Sequence, residues 1–105
     1  MKSIKIGSKL TSRRFVHIDD IVDGFYTSYK KKISGIFNLG GDSDVTLEEI
    51  VNISSKKLKK KIKVYENSNS KPSKRKVSNF KAKKIMGWSP KINIETGINK
   101  IIFDR

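Results

Sequence analysis

The segment Arg13-Arg14-Phe15-Val16-His17-Ile18-Asp19-Asp20 decides the fold class, and the rest of the chain is interpreted around it. Its apolar residues, between positions 15 and 18, predict a short strand. A carboxylate at a helix start accepts hydrogen bonds from free backbone amides and suits the helix dipole. The segment therefore predicts a strand that leads into a helix capped by Asp19 or Asp20.

The residues after this segment predict an amphipathic helix. Three lysines at positions 30–32 would end it, where positive charge is favoured. Apolar residues at helical spacing indicate one buried stripe, made of Ile18, Ile21, Val22, Phe25 and Tyr29. Packing alone explains this pattern, so no catalytic role is needed for these side chains.

The middle of the chain continues the alternation of strands and helices. The apolar run 33–41 ends in two glycines and predicts a buried strand with a turn. Thr46 and Glu49 have the spacing of a capping box at the start of a second helix. Residues 62–65 alternate in polarity and predict another strand. The polar, basic stretch 66–77 is interpreted as a loop.

Two further helices are predicted near the end of the chain. Ser78 or Asn79 can cap a short helix that Gly87 stops, and Asn93 can cap a last helix. A strand and turn are predicted over residues 4–10. The order of elements is strand–helix–strand–helix–strand–helix–helix, which is an α/β pattern.

Composition excludes several classes of site. The chain has 105 residues, which is one small domain or part of a larger one. It has no cysteine and one histidine, which excludes disulfides and sites built from cysteine or several histidines. No apolar run of membrane-spanning length occurs. We therefore expect no membrane partner and a cytoplasmic location.

The net charge of +14 points toward polyanions. However, 20 of the 24 basic residues are lysines, a bias that AT-rich codons produce without functional demand. Charge alone supplies only non-specific affinity. The aromatic residues Phe15, Tyr26, Phe37 and Trp88 mostly occupy predicted core faces, which argues against a stacking platform. A small basic nucleic-acid-binding protein is the alternative hypothesis.

Four segments in order resemble the NAD-dependent epimerase/dehydratase family, the extended short-chain dehydrogenases that modify nucleotide-activated sugars. They are Arg-x-Phe-Val-His-Ile-x-Asp at 13–20, Gly-Ile-Phe-Asn-Leu-Gly-Gly at 35–41, Lys-Ala-Lys-Lys-Ile-Met-Gly-Trp-Ser-Pro at 81–90, and Ile-Glu-Thr-Gly-Ile at 94–98. In that family the first segment comes late, after the cofactor-binding half. The resemblance implies that residues 1–105 form one C-terminal, substrate-binding portion with an incomplete Rossmann sheet and without the N-terminal NAD-binding part.

The resemblance also implies substrate-binding residues. Arg13 matches a position that contacts the nucleotide diphosphate, and Asn38 matches a substrate-contacting position of the dehydratase branch. Lys71 and Arg75 lie in a loop that resembles the family's basic phosphate-binding loop, often Arg-Pro-Gly-x-Asp. Here the loop is shorter, its glycine is absent, and Ser78 replaces the usual aspartate. The identity of the sugar and base therefore stays open.

Catalytic and cofactor residues are not expected in this chain. The glycine-rich NAD turn is absent. Tyr26 and Lys30 have the family's Tyr-x-x-x-Lys spacing, but in the family that pair precedes the present segment and lies on another helix. NAD(P) would belong to the intact enzyme, whose reaction could be epimerisation, dehydration or reduction. The expected partners are a nucleotide-diphosphate sugar and either a separate Rossmann subunit or, by pairing of sheet edges, a second copy of the chain.

Overall fold

The computed structural model describes residues 2–67 and 69–103. These residues form four strands, three α-helices and a π-helical turn. The strands are β1 (Lys2–Ile6), β2 (Ser12–Arg13), β3 (Val45–Thr46) and β4 (Ile62–Glu66). The helices are α1 (Ile18–Lys30), α2 (Leu47–Leu58) and α3 (Ile94–Phe103), and the π-helical turn covers Ala82–Met86.

The strands form two separate pairs. β1 and β4 are parallel, with Lys2 opposite Ile62 and Ile6 opposite Glu66. β2 and β3 are antiparallel, with Arg13 opposite Val45. A parallel pair requires a long crossover between its strands, and here that crossover contains α1 and α2. The α/β class predicted from the sequence is confirmed.

The predicted starts of α2 and α3 and the predicted stop at Gly87 are confirmed by local structure. The short helix predicted after Ser78 or Asn79 is a π-helical turn without a side-chain cap, since the Asn79 side chain donates to Gly40 and Asp42 instead. The Thr46 hydroxyl accepts from the Glu49 amide at 3.1 Å and caps α2. The Asn93 side chain accepts from the Thr96 amide at 2.8 Å at the start of α3. Gly87 ends the π-helical turn in the left-handed region, with φ of 71°, where glycine is favoured. These ends depend on neighbours in the sequence.

The start of α1 differs from the prediction. His17, not an aspartate, is the cap residue, and its Nδ1 accepts a hydrogen bond from the Asp19 amide at 3.0 Å. The expected strand over residues 15–18 is absent, since β2 ends at Arg13 and the helix begins at Ile18. Asp20 does not cap the helix because its carboxylate accepts from the amides of Lys91 and Ile92, at 3.1 and 3.0 Å.

The core is centred on Trp88 and Met86, whose side chains are almost completely buried, together with Ala82. The indole Nε1 of Trp88 donates to the Asp20 carbonyl at 2.9 Å, so the burial of its polar atom is compensated. Partly buried apolar side chains surround these three residues: Val16, Ile33, Phe37 and Leu39. The core therefore joins α1 to the segment that follows the π-helical turn.

The predicted buried stripe of α1 is exposed. The residues of α1 that are buried are Asp20 and Gly24, because this side of the helix faces Trp88 and Leu39. A Cβ atom on Gly24 would lie 2.5 Å from Leu39 Cδ1, so a larger residue here would require the Leu39 side chain to shift. The predicted stripe faces away from the core. Ile18 is 62% exposed, Val22 57%, Phe25 66% and Tyr29 83%, and Ile21 is the one member that is half-buried.

The predicted strand over residues 33–41 is also wrong. This run is irregular, and Ile36 is 84% exposed. A strand requires a neighbour for its hydrogen-bond ladder, and none of the described strands pairs with it. Its backbone is held instead by side chains of later segments, including Lys81 Nζ, which donates to the Ile36 carbonyl at 2.9 Å.

In the ranges 2–67 and 69–103, none of the helices has the length and apolar character to cross a membrane. The same ranges contain no group of three or more histidine, cysteine, aspartate or glutamate side chains arranged to hold a metal ion.

Candidate functional site

The loop that contains Lys71 and Arg75 runs beside β2. The Ser12 amide donates to the Ser73 carbonyl at 2.9 Å, and the Arg75 amide donates to the Ser12 carbonyl at 3.4 Å. Ser12 and Lys74 form an isolated parallel bridge. The residues that follow this bridged pair are Arg13 and Arg75, so their backbones are neighbours, about 4.8 Å apart by ordinary strand spacing.

The Arg13 guanidinium is fixed to this loop. Its Nη1 donates to the Ser12 carbonyl at 2.7 Å and to the Ser73 carbonyl at 2.9 Å, and its Nη2 donates to Ser73 Oγ at 3.1 Å. The Ser73 amide in turn donates to Thr11 Oγ1 at 3.1 Å. Three of the four site residues predicted from the sequence are therefore brought together: Lys71 and Arg75 lie in the loop, and Arg13 is bonded to it.

We call the two neighbouring arginines the Arg13–Arg75 pair. Neither of them, nor the nearby Lys71, has a carboxylate partner in the described part of the chain. Arg75 and the nearby Lys71 are exposed, and Arg13 is half-buried. Like charges on neighbouring strands repel each other. A bound anion between them would remove that repulsion, so the arrangement favours a ligand with more than one negative charge.

The next two residues of the same segments form a contrasting cluster, the Arg14–Lys76 pair. Both side chains contact one carboxylate: Arg14 Nε lies 3.0 Å from Asp44 Oδ1, and Lys76 Nζ lies 3.5 Å from Asp44 Oδ2. The hydrogen bond from Arg14, supported by the charge of Lys76, lowers the pKa of Asp44 below its ordinary value. This pair therefore has a carboxylate partner within the protein, which offsets one of its two positive charges.

A second carboxylate, that of Asp42, attaches the following segment. It accepts hydrogen bonds from Asn79 Nδ2 at 2.8 Å and from Lys83 Nζ at 2.6 Å, which lower the pKa of Asp42. Asn79 also donates to the Gly40 carbonyl at 2.9 Å. Sequence reasoning missed Asp42 and Asp44, because their basic partners lie about 30 to 40 positions away and no local pattern connects them.

Gly41 brings the two acidic residues close to the segment that carries the arginines. Its amide donates to the Arg14 carbonyl at 3.3 Å. A Cβ atom at this position would lie 2.0 Å from the Phe15 carbonyl oxygen, so no other residue fits without backbone movement. The second glycine of the predicted turn therefore has a packing role.

Asn38, the fourth predicted residue, is placed differently. Its side chain is exposed, and no hydrogen bond of the described residues joins it to the 71–75 loop. A cavity of about 170 Å³ lies between Phe15, Gly41, Val45 and the turn 90–94, and none of the four predicted site residues lines it. The cation cluster therefore lies outside this cavity.

Two residues of types that often serve in catalysis have other roles here. His17 caps α1 through Nδ1, as described above. Tyr26 is 60% exposed, and the ammonium of Lys30 lies 5.9 Å from its ring centroid in a cation–π contact. The Tyr26/Lys30 spacing therefore corresponds to a surface contact within one helix.

Known proteins match nearly all of this chain but only part of their own length. No family model matches the chain. The UDP-glucuronate 4-epimerase of Thermodesulfobacterium geofontis (strain OPF15) is 35% identical over 105 residues, covering 96% of this chain and 32% of that protein. UDP-glucuronic acid decarboxylase 4 of Arabidopsis thaliana is 29% identical over 100 residues, covering 93% of this chain and 23% of that protein. The chain thus spans a third or less of the length of these curated relatives.

Solved structures share the fold. RMD from Pseudomonas aeruginosa, complexed with NADPH, superposes with a TM-score of 0.86 at 14% identity, covering 99% of this chain and 35% of that one. UDP-glucuronic acid 4-epimerase from Bacillus cereus, in complex with UDP-glucuronic acid and NAD, gives 0.76 at 22% identity, covering 92% and 32%. Sequence similarity and fold together confirm the resemblance of the chain to the NAD-dependent epimerase/dehydratase family of extended short-chain dehydrogenases.

Proposed function

We propose that this chain holds the nucleotide diphosphate of a nucleotide-activated sugar, as the substrate-binding part of an NAD(P)-dependent epimerase, dehydratase or reductase. The observation that carries the proposal is the Arg13–Arg75 pair, two neighbouring cations without a carboxylate partner in the described residues. The names of the relatives, a UDP-glucuronate 4-epimerase and UDP-glucuronic acid decarboxylases, agree with a ligand of this class.

The chemistry of the side chains suits a diphosphate. Arginine presents a planar fork of N–H donors that matches phosphate oxygens, and the contact is strengthened because both partners are charged. In this proposal Arg13 and Arg75 bind the phosphates, and Lys71 adds positive charge at the rim of the site. Asn38 is proposed as a wall of the sugar pocket, since its exposed amide can donate to and accept from hydroxyl groups.

The described residues do not fit the pyrophosphate of NAD(P). The adjacent glycines at 40–41 lead directly to Asp42 and Asp44, whose lowered pKa values keep them negatively charged at neutral pH. An ionised carboxylate only accepts hydrogen bonds, so these two side chains offer a phosphate no donor. We therefore assign no cofactor contact to this chain and propose that NAD(P) binds to a Rossmann part, in the same polypeptide or in a separate subunit.

The exposed stripe of α1 supports the need for such a part. An exposed row of large apolar side chains marks an interaction surface, here Ile18, Val22, Phe25, Tyr26 and Tyr29. The radius of gyration is 16.2 Å, against about 13 Å for a compact domain of about 100 residues. We propose that the Rossmann part covers this stripe. On its own the chain would bind substrate and not convert it.

The proposal is tested by calorimetric titration of the chain with UDP at about 0.1 M salt. Arg75→Ala should weaken binding about tenfold, since it removes one charge-assisted contact. Lys76→Ala is the matched control: it removes the same charge from the next residue, whose ammonium contacts Asp44. Its affinity for UDP should stay within about twofold of the parent chain, because its effect is limited to long-range electrostatics.

The alternative, a basic nucleic-acid-binding protein, gives a different result. The predicted burial of the aromatic residues argued against this alternative, but Tyr26 and Phe15 are 60% and 40% exposed. Under that alternative a single-stranded oligonucleotide binds more tightly than UDP, with a steep salt dependence. Arg75→Ala and Lys76→Ala would then weaken binding equally. Such a result would contradict the proposed diphosphate site.

A further inference from the structure

We propose that Ser73 is a positioning residue that makes the site selective for a diphosphate over a monophosphate. This inference rests on the proposed function and concerns which residues bind each of the two phosphates of the ligand. Ser73 follows Lys71 and Pro72 at the place where the similar family loop has glycine, and its hydroxyl is bonded to Arg13. A glycine there could not make this bond.

The hydrogen bonds of Arg13 determine what it can still bind. A guanidinium has five N–H donors. Both donors of Nη1 and one of Nη2 are used by Ser12 and Ser73. The described residues leave Nε–H and the second Nη2–H without an acceptor, and these two donors lie on one edge of the plane. Arg13 therefore has one bidentate edge for one phosphate.

The second phosphate must then be bound by the loop cations. Arg75 and Lys71 lie two residues on either side of Ser73, so their position depends on how this residue is held. Its carbonyl and hydroxyl both accept from Arg13, and its amide donates to Thr11. Ser73 thus connects the group that binds the first phosphate to the groups that bind the second.

The test compares dissociation constants for UDP and UMP. Ser73→Ala removes the hydroxyl and leaves the backbone contacts, so we expect the affinity for UDP to fall about five- to tenfold, as for loss of one hydrogen bond to a charged group. The affinity for UMP should change less than about twofold, because the bidentate edge of Arg13 remains. Ser73→Thr keeps the hydroxyl and should restore the preference for UDP. Ser89→Ala, at an exposed serine outside the loop, is the control.

Each outcome distinguishes the inference from the function on which it rests. If the parent chain binds neither nucleotide, or binds both equally, the proposed diphosphate site fails and this inference fails with it. If the parent chain prefers UDP and Ser73→Ala keeps that preference, the site stands and the role of Ser73 is contradicted. Equal loss of UDP and UMP affinity in Ser73→Ala would indicate a merely structural role, and the same loss in Ser73→Thr would also overturn the inference.

Discussion

The Arg13–Arg75 pair and the Arg14–Lys76 pair occupy consecutive positions on the same two segments but differ in their partners. The Arg14–Lys76 pair shares the carboxylate of Asp44, whereas the Arg13–Arg75 pair contacts no carboxylate in the described residues. In a chain with net charge +14, the number of cations does not identify a binding site. The position of the few carboxylates identifies the site, because it decides which cations already have a partner within the protein.

The largest expected effect comes from breaking the frame that holds both pairs. Gly41→Ala places a Cβ atom against the Phe15 carbonyl oxygen, which cannot move without displacing the segment of Arg13 and Arg14. We expect a loss of about 3 kcal/mol in the free energy of unfolding, typical of an overpacked backbone contact. Urea denaturation measures it. Gly40→Ala is the control, since its Cβ would meet the Val77 carbonyl at an ordinary 3.6 Å.

A charge reversal would turn one pair into the other. Arg75→Glu places a carboxylate beside Arg13, so that Arg13 is neutralised internally as Arg14 is by Asp44. We expect the affinity for UDP to fall about 100-fold, or about 2.8 kcal/mol. Lys76→Glu changes the net charge equally but acts on the pair that already has a carboxylate partner. If both variants weakened UDP binding to the same extent, the two pairs would not differ in function.

Acid should weaken the ion pairs of Asp42 and Asp44. The pKa values of Asp42 and Asp44 are lowered by their basic partners, so these carboxylates stabilise the fold above their ordinary value of 3.8. This stabilisation is lost as the pH falls through the lowered pKa values. The urea midpoint of the parent chain should therefore drop more steeply below pH 3.8 than that of a double variant, Asp42→Asn with Asp44→Asn. Parallel curves would contradict the ion pairs.

The smallest effect is expected at the exposed face of α1, which also lacks a partner in the described residues. Val22→Ser and Phe25→Ser should each change the free energy of unfolding by less than about 0.5 kcal/mol, because these side chains are mostly exposed. Trp88→Ala removes the side chain that packs against the buried side of the same helix, and it should cost about 3 to 5 kcal/mol. A large loss of stability in Phe25→Ser would mean that the chain itself covers this stripe.

Features with local causes were predictable from the sequence. The caps of α2 and α3, by Thr46 and Asn93, depend on amides three residues away, and Gly87 ends its turn by its own conformation. The α/β class follows from these elements. The strand predicted from the apolar run 33–41 was wrong, because an apolar sequence does not specify whether a neighbouring strand is available to pair with it.

Features with distant causes were not predictable. The orientation of α1 is determined by Asp20, whose carboxylate accepts from amides 71 and 72 positions later. The spacing of the five apolar residues of α1 shows that they share one face of the helix. It contains no information on such distant contacts, so the sequence analysis predicted that this face is buried. The family resemblance indicated Arg13, Lys71 and Arg75 as site residues, but their lack of carboxylate partners became visible only in the structure.

The most direct test of the Arg13–Arg75 pair is the NMR spectrum of the arginine Nε–H groups during titration with UDP. The chain has four arginines, so their signals are separable. The Nε–H of Arg14 donates to Asp44, whereas that of Arg13 has no acceptor in the described residues. We expect the Nε–H signals of Arg13 and Arg75 to shift on addition of UDP while that of Arg14 stays in place. A shift of Arg14 as large as that of Arg13, or UDP binding that moves neither Arg13 nor Arg75, would contradict the proposed site.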